Sequence, residues 1–506
     1  MSGVGEHHLA RLNERNHERV ADHESLLFEG RWHTSGELFE RGERVAGGLR
    51  ELGIRPGDRV VVLMMNTPEV FVTYQAVWRA GAVVTPVIFL QTPPELRHIL
   101  SDSGARAVVV TPELLPLLSV AAEGLDLHVL VVGDPGKTAG ARRFTELEAA
   151  SPLGIEPRGD DDLAALLYTG GTTGRSKGVM LTHHGLWASG HGLDRVALST
   201  GVTRTLLSLP LSHAYGLIVT ISGMHSERET VAVLQRWFDA KDWLALVQEH
   251  RLEGSSMVPS MLTMLMAEPL EDRDLTCLRS LGSGGAPLPP ALRAQAEERL
   301  GVVILEGYGL TESSAVVSAS TLEATRPPSV GRPLPHVVVE IRDDAGTALS
   351  PGQDGEICVS GPGVMAGYWR SPEQSAATVV DGWLLTGDIG HLDEDGYLYV
   401  VDRKKDLIIR GGFNVYPRDV EDALLAHPDV TSAAVVGRPA DARGEEVVAV
   451  VSVVPGSDLG PEAIIAFARE RLGAHKYPRE VIVVAHVPLT SVGKTDRKAV
   501  RALVRE

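Results

Sequence analysis

The 506-residue chain is poor in cysteine and in positive charge. Its two cysteines, Cys277 and Cys358, are too few and too far apart to predict a disulfide framework or a zinc site. A reducing cytoplasm is therefore the expected location. The formal net charge of −18 argues against a general nucleic-acid binder, although a local basic pocket can exist in an acidic protein.

Long apolar runs and a leader-like start are also missing. No charge-free apolar run reaches the roughly 18 residues that a membrane helix needs. The first residues, MSGVGEHHLARLNERNHERV, lack the apolar centre of a secretory signal. We therefore expect no transmembrane segment.

The N-terminal part of the sequence alternates helical patterns with short β-branched runs. Ser35, Glu37 and a 3/4-spaced apolar set predict a helix over 35–53, with Gly53 as its stop. Buried strands that alternate with amphipathic helices predict α/β layers with largely parallel sheets. The predicted strands are DRVVVLMMN (58–66), GAVVTPV (81–87), ARAVVVT (105–111) and LHVLVVGD (127–134).

The pattern changes near residue 330. Short strands at close spacing, separated by Gly, Pro and Asp turns, predict a more antiparallel, β-rich subdomain. The last hundred or so residues predict a small α+β domain with a helix at 418–430. We therefore expect two domains, 1–401 and 402–506.

A glycine- and threonine-rich segment, YTGGTTGRSKGV (168–179), has the composition of a phosphate-binding loop. Glycines let backbone N–H groups turn toward an anion, hydroxyls add donors, and a lysine adds charge. It is not a Walker loop, because Ser176 precedes Lys177 and Gly178 follows it. The structural alternative is a surface turn between a strand and a helix. The candidate phosphate ligands are Thr169, Gly170, Gly171, Thr172, Thr173, Gly174 and Lys177.

Two further glycine clusters are GSGGAP (282–287) and EGYGLTES (306–313). Neither completes the G-x-G-x-x-G pattern, since Pro287 and Glu312 stand where its last glycine would be. A dinucleotide-binding fold is therefore disfavoured.

Read in order, these clusters resemble the adenylate-forming superfamily of acyl-CoA synthetases, aryl-CoA ligases, luciferases and peptide-synthetase adenylation domains. Four more segments complete the resemblance, which runs from about residue 30 to about 503: LPLSHAYG (209–216), LLTGDIG (384–390), DRKKDLIIRGGFNVYPRDVE (402–421) and PLTSVGKTDRKAV (488–500). It implies that a carboxylate attacks the α-phosphorus of ATP to give acyl-AMP and pyrophosphate. A thiol, most simply that of CoA, then displaces AMP.

The resemblance also assigns roles to single residues. Tyr308 looks like the ring that stacks on adenine, Thr311 like an α-phosphate contact and Glu312 like the ligand of Mg²⁺. Asp388 and Arg403 look like ribose contacts, and His213 like a gate beside the acyl pocket. Each has a structural alternative, such as a core aromatic, a helix cap, a turn or a solvated charge. The glycine clusters add Gly284, Gly285, Ala286, Glu306, Gly307 and Gly309 as residues that line the nucleotide and acid sites.

The C-terminal segment supplies the remaining expectations. Composition alone makes Lys494 a solvated lysine, whereas the resemblance makes it the cation that bridges the attacking carboxylate and the α-phosphate. Asp402 falls at the family's hinge. Gly411 and Gly412 would line the tunnel for the pantetheine arm of CoA.

One stretch departs from the family pattern. Ser226, Glu227, Arg228 and Glu229 stand where small and apolar residues are usual. If they face the acyl pocket, they disfavour a long apolar tail and suit a polar or amine-bearing acid, because unpaired buried charge is costly. The alternative is a surface loop.

The sequence therefore predicts an ATP-dependent, AMP-forming acid–CoA ligase, with fatty acids among its possible substrates. Transfer to a carrier-protein phosphopantetheine or another acceptor stays open, as does a non-catalytic nucleotide-binding relative. A phosphate-loop hydrolase is disfavoured by the absent Walker spacing.

Overall fold

A computed structural model describes residues 3–138, 140–169, 175–410, 413–440, 444–490 and 495–505. The predicted α/β layers are confirmed in the N-terminal part, where two large sheets pack with helices. The helices of this part are Leu9–Arg19, Ser35–Glu51, Pro68–Arg79, Pro93–Ser103, Leu115–Ala121, His183–Thr200, Ala214–His225, Ala240–His250, Pro259–Met266, Pro290–Leu300 and Pro372–Thr378.

The first sheet is parallel through its centre and ends in antiparallel edge strands. Several site residues lie at or just after the ends of its strands. Open α/β sheets commonly bind ligands at loops in such positions. In spatial order the strands are Arg332–Pro333, Ser318–Ala319, Val303–Tyr308, Ser280–Ser283, Gly254–Met257, Arg204–Leu207, Val231–Leu234, Glu24–Phe28 and Arg31–Thr34.

The second sheet contains all four strands that were predicted before residue 140, each slightly shorter than its apolar run. Its centre is parallel, and an antiparallel hairpin forms one side. In spatial order the strands are Gly367–Tyr368, Lys177–Thr182, Leu163–Thr169, Val83–Pro86, Arg59–Leu63, Ala107–Val110, His128–Val131 and Arg142–Arg143.

The β-rich subdomain after residue 330 is antiparallel, as predicted. Its strands are Val338–Arg342, Gly355–Ser360, Val379–Val380, Trp383–Leu392 and Leu398–Arg403. The last of these contains Asp402, the predicted hinge residue. Both carboxylate oxygens of Asp402 accept backbone N–H groups, from Arg403 at 2.7 Å and from Arg418 at 2.9 Å.

The C-terminal part is the predicted small α+β unit. It opens with a short hairpin, Ile408–Arg410 and Phe413–Val415, and continues with the long antiparallel pair Val430–Ala440 and Gly444–Val453. The strand Glu480–Val483 completes its sheet. Its helices are Pro417–Leu425, Pro461–Arg471 and Arg497–Arg505, so the helix predicted at 418–430 ends earlier than expected.

Candidate active site

The predicted phosphate loop joins two antiparallel strands, with Thr169 paired to Lys177 where the hairpin opens. The element that follows the loop is therefore a strand and not the helix of the alternative interpretation. The ring Nε2 of His98 lies 2.8 Å from the carbonyl oxygen of Ser176 and fixes one side of the loop. The central ligands of the prediction lie outside the described residues: Gly170, Gly171, Thr172, Thr173 and Gly174.

Lys177 and Glu312 meet at a shared aromatic side chain. The Nζ atom of Lys177 lies 4.9 Å from the ring centre of Tyr368, whose hydroxyl donates a 2.9 Å hydrogen bond to Oε1 of Glu312. Burial and the adjacent Glu312 carboxylate raise the pKa of Tyr368, so its hydroxyl stays protonated and remains a donor. The structure thus brings together a cation and a carboxylate that are 135 residues apart in sequence.

Glu312 belongs to a short 3₁₀ turn, Thr311–Ser313, which follows the strand Val303–Tyr308. Its backbone oxygen accepts the N–H of Met365 at 2.9 Å, which fixes the turn against the neighbouring chain segment. Within the described residues, the second carboxylate oxygen of Glu312 has no hydrogen bond or ion pair. One oxygen is therefore positioned by Tyr368 and the other is available to a ligand.

Tyr308, Asp388 and Arg403 form a continuous polar chain. The Tyr308 hydroxyl donates a 2.6 Å hydrogen bond to Oδ2 of Asp388, and Nε of Arg403 lies 3.1 Å from Oδ1. Strand pairing sets this arrangement, since Asp388 stands directly opposite Arg403. Burial raises the pKa of Tyr308. A buried carboxylate with two donors is thereby held beside an aromatic ring.

A small pocket of about 310 Å³ lies beside this chain, lined by Thr386, Gly387, Arg403, Lys404 and Lys405. Lys404 is neutralised by Asp344 and Glu356 at 2.8 and 3.0 Å. Burial lowers the pKa of Lys405. Three cationic side chains therefore surround Asp388, and two of them, Arg403 and Lys404, are paired with carboxylates.

A larger cavity of about 450 Å³ brings most of the other predicted residues together. At Gly285 the backbone φ is +79°, which favours glycine, and a Cβ at Gly309 would lie 2.1 Å from the Ala315 carbonyl oxygen. Ala286 is not among the residues that line it. The predicted residues on its wall are His213, Gly284, Gly285, Glu306, Gly307, Tyr308, Gly309 and Thr311.

Two of these residues also have structural partners. The Glu306 carboxylate forms a buried ion pair with Arg293 at 2.8 Å, and burial raises its pKa although Arg293 opposes the shift. His213 is the N-cap of the helix Ala214–His225, and its Nδ1 accepts the N–H of Tyr215 at 3.2 Å. The His213 ring thus borders the cavity in an orientation fixed by the helix terminus.

Part of the Ser226–Glu229 stretch faces the cavity and part of it is a surface loop, so each of the two sequence-based interpretations holds for some of its residues. Ser226 and Arg228 line the cavity. Glu227 is exposed and pairs with Arg19 at 3.2 Å, and Glu229 is exposed as well. The stretch therefore brings one cation toward the cavity and keeps its two carboxylates on the surface.

The sequence has two histidine pairs, His7–His8 and His183–His184, whose spacing to other residues predicts no metal site and favours solvated or helix-capping side chains. His8 does cap the helix Leu9–Arg19, accepting the N–H of Ala10 at 3.1 Å. Solvation is wrong for His8 and His183, which are fully buried and stack with ring centres 4.0 Å apart. The other two, His7 and His184, also stack, and His7 is bound to Asp160 at 2.8 Å.

The fold is that of a known class of nucleotide-binding enzymes. The family model "AMP-binding enzyme" matches residues 13–369, and "AMP-binding enzyme C-terminal domain" matches residues 419–494. The chain belongs to the AMP-binding enzyme family. Three residues with predicted roles in the C-terminal domain lie outside the described residues: Gly411, Gly412 and Lys494.

Similar proteins narrow the class. The chain is 39% identical to a feruloyl-CoA synthase of an Amycolatopsis species, over 92% of this chain and 93% of that one. It is 33% identical to a long-chain-fatty-acid–CoA ligase of Bacillus subtilis, over 95% and 91%. Its structure resembles the amide bond synthetase McbA from Marinactinospora thermotolerans, with a TM-score of 0.87, 33% identity and coverage of 98% and 99%.

The predicted reaction class is confirmed: the protein is an AMP-forming acid–thiol ligase of the acyl-CoA synthetase type. It activates a carboxylic acid as acyl-AMP, releases pyrophosphate and passes the acyl group to CoA. Among the described helices, none combines the length and apolar character needed to cross a bilayer.

Proposed function

We propose that this ligase acts on a compact, ring-bearing acid and that its site residues take the roles implied by the resemblance. The observation that carries the proposal is the cavity, whose lining combines the glycine clusters with polar side chains of the first helix. These side chains are Asn13, Asn16 and His17. An extended apolar chain would leave Asn13 and the buried, unpartnered Nδ1 of His17 without water or partners, which is costly.

ATP would lie between the phosphate hairpin and the hydrogen-bonded group of Tyr308, Asp388 and Arg403. Asp388 accepts the two ribose hydroxyls, since one carboxylate can receive two hydrogen bonds, and Arg403 orients it. The Tyr308 ring faces the adenine. Lys177, with the loop residues before it, neutralises the outer phosphates.

Glu312 fits a magnesium site. Mg²⁺ is typically bound through one or two carboxylates together with substrate phosphates and water. Glu312 offers a carboxylate oxygen with no protein partner, and the described residues contain no cluster of three or more potential metal ligands that would form a protein cage. When bound, the ion would neutralise charge on the triphosphate.

The first half-reaction joins a carboxylate oxygen of the acid to the α-phosphorus and breaks the bond to the pyrophosphate oxygen. Lys494 would bring a positive charge between the two anions and stabilise the charge that develops at phosphorus. Thr311 donates its hydroxyl to the α-phosphate. His213, oriented by its helix, lies beside the acid's carboxylate.

In the second half-reaction the CoA sulfur bonds to the acyl carbon, the bond to AMP breaks, and the thiol proton leaves to solvent. The small domain 402–506 would turn about Asp402 between the two steps. Gly411 and Gly412 would then line the pantetheine path. We also propose a cytoplasmic location, in keeping with the free thiols of Cys277 and Cys358.

A substrate screen tests this proposal. Purified protein receives ATP, Mg²⁺ and one acid from an aryl, arylalkenoyl or fatty series, with or without CoA. AMP, pyrophosphate and the acyl-CoA are measured. We expect turnover of ring-bearing acids and weak activity on long-chain fatty acids; a preference for fatty acids of sixteen or so carbons, longer than a pocket of ordinary size encloses, would refute the substrate class. Acceptors other than CoA serve as a parallel arm.

A further inference from the structure

One carboxylate in the acid cavity has no partner. Asp194 lies on the helix His183–Thr200, lines the cavity and is only 8% exposed. Across the described residues, no hydrogen bond or ion pair reaches its oxygens. Burial raises its pKa, as expected of a carboxylate that has lost water without gaining a partner.

A cation of opposite charge lines the same cavity. Arg228 lies near enough to influence the pKa of Asp194, but the two do not form an ion pair within 4.0 Å. The Nε atom of Arg228 is buried and has no hydrogen-bond partner. Two oppositely charged groups thus line the same cavity without forming an ion pair with each other.

The backbone that carries each group is held by its surroundings. Asn16 donates a 2.8 Å hydrogen bond from Nδ2 to the carbonyl oxygen of Ser226, and the hydroxyl of Ser226 donates to the carbonyl oxygen of Arg228 at 3.1 Å. Asp194 sits on an 18-residue helix. Neither element carries a nucleotide motif, so the pair belongs to the acid's side of the cavity.

We infer that Asp194 and Arg228 bind a neutral hydroxyl group on the acid, remote from its carboxylate, and so select a hydroxylated aromatic acid. This inference rests on the proposed function and assigns two specificity-determining residues to it. The hydroxyl donates to a carboxylate oxygen of Asp194 and accepts from the guanidinium of Arg228. One small group thereby satisfies both side chains.

Other chemistries fit less well. An ammonium group would pair with Asp194 but would be repelled by Arg228, and a second carboxylate would meet the reverse problem. An apolar tail would leave both charges buried and unpaired. A hydroxyl avoids all three penalties, because it is uncharged and both donates and accepts.

Matched acids provide the first test. Pyrophosphate release is measured with 4-hydroxycinnamate, cinnamate, 4-(aminomethyl)cinnamate and 4-carboxycinnamate. We expect kcat/KM for the hydroxylated acid to exceed that for cinnamate by about 10- to 100-fold, the range for a hydrogen bond to a charged group. Equal values for these two acids, or a preference for the amine or the dicarboxylate, would overturn the inference while leaving the ligase function intact. No pyrophosphate with any acid would instead refute the proposed function.

Variants provide the second test. Asp194→Leu has a similar shape without polar atoms, and it should abolish the preference for the hydroxyl while keeping or improving activity on cinnamate. Asp194→Asn keeps an acceptor oxygen and should lose less of the preference. Arg228→Gln should also reduce it.

Exposed neighbours serve as controls. Arg195→Gln and Glu229→Gln change a charge beside each residue without lining the cavity, so both should behave as wild type. If Asp194→Leu keeps the wild-type ratio between hydroxylated and unsubstituted acids, Asp194 does not bind the hydroxyl. Adenylate formation with cinnamate shows that each variant is folded.

Discussion

At the scale of single residues, the site depends on side chains whose partners come from distant parts of the chain. Asp388 is held by Tyr308 on one side and by Arg403 on the other. Only Arg403 is close in sequence. The geometry around Asp388 therefore depends on how the β-rich subdomain packs against the first sheet, and the nucleotide contacts depend on that packing too.

Asp388→Asn provides a prediction at this scale. An amide can accept from only one of its two atoms, so one of the two ribose hydrogen bonds is lost. We expect the KM for ATP to rise about tenfold, the cost of a hydrogen bond to a charged group. The wild type should prefer ATP over 2′-deoxy- or 3′-deoxy-ATP, and the variant should lose that preference for one analogue.

The control is Asp381→Asn, an exposed carboxylate outside the site. Asp388→Asn with an unchanged ratio between ATP and both deoxy analogues would remove Asp388 from the ribose site.

Glu312→Gln provides a second prediction. The substitution keeps the hydrogen bond from Tyr368 but removes the negative charge proposed to bind Mg²⁺. We expect the Mg²⁺ concentration needed for half-maximal pyrophosphate release to rise at least about tenfold, because Mg²⁺ prefers charged oxygen ligands. Titration of Mg²⁺ at fixed ATP measures it. Glu323→Gln, an exposed neighbour, is the control; an identical Mg²⁺ dependence in both variants would contradict the metal role.

At the scale of elements, strands and helices with strong periodicity could be predicted from sequence. The helix predicted at 35–53 extends from Ser35 to Glu51. Its N-cap is Thr34 rather than Ser35, because the Thr34 hydroxyl accepts the N–H of Glu37. The buried parallel strands could be predicted as well, because a continuous β-branched run between two helices is typical of such a strand.

Tyr368 shows what sequence reasoning missed. It lies outside every quoted motif, on a two-residue strand that pairs with Lys177–Thr182. Only long-range strand pairing places its hydroxyl at Glu312 and its ring at Lys177. Asp194 did leave a signal, because it follows Leu186 and Gly190 at helical spacing on the buried side of its helix. A charge inside an apolar stripe is a candidate site.

Lys494→Ala provides a prediction for the C-terminal segment. If this cation is needed only between the two anions of the first step, acyl-AMP formation should fall by about 100-fold or more, as when a transition-state donor is removed. Thioester formation from supplied acyl-AMP and CoA should be largely preserved. Lys498→Ala, on the following helix, is the control. An equal loss in both half-reactions would count against the proposed role.

At the scale of the whole molecule, buried neutral histidines link stability to pH. Burial lowers the pKa of His8 to about 4 and that of His225 to about 3, and it also lowers the pKa of His183. Stability is complete above the unfolded-state pKa of about 6.5 and falls as the pH drops toward the folded values, because the unfolded chain binds protons more readily. Titration of His8 alone lowers the free energy of unfolding by about 3 kcal/mol between neutral pH and pH 4.

The corresponding prediction is a melting temperature that falls by several degrees between pH 7 and pH 5. Differential scanning calorimetry across this range measures it. His8→Asn retains a side-chain acceptor for the helix N-terminus but cannot titrate, so its melting temperature should depend less steeply on pH. The exposed His486→Asn should keep the wild-type slope. Parallel slopes for wild type and His8→Asn would exclude His8 as a source of the acid sensitivity.

The first helix, Leu9–Arg19, has a consequence for anyone who wishes to alter this catalyst. Its Asn13, Asn16 and His17 form part of the cavity wall, and Asn16 also holds the backbone of Ser226. Fusions or truncations at the amino terminus would therefore change which acids are accepted, in addition to any effect on yield. Randomising one face of eleven residues gives a compact library for redirecting selectivity while every nucleotide contact stays untouched.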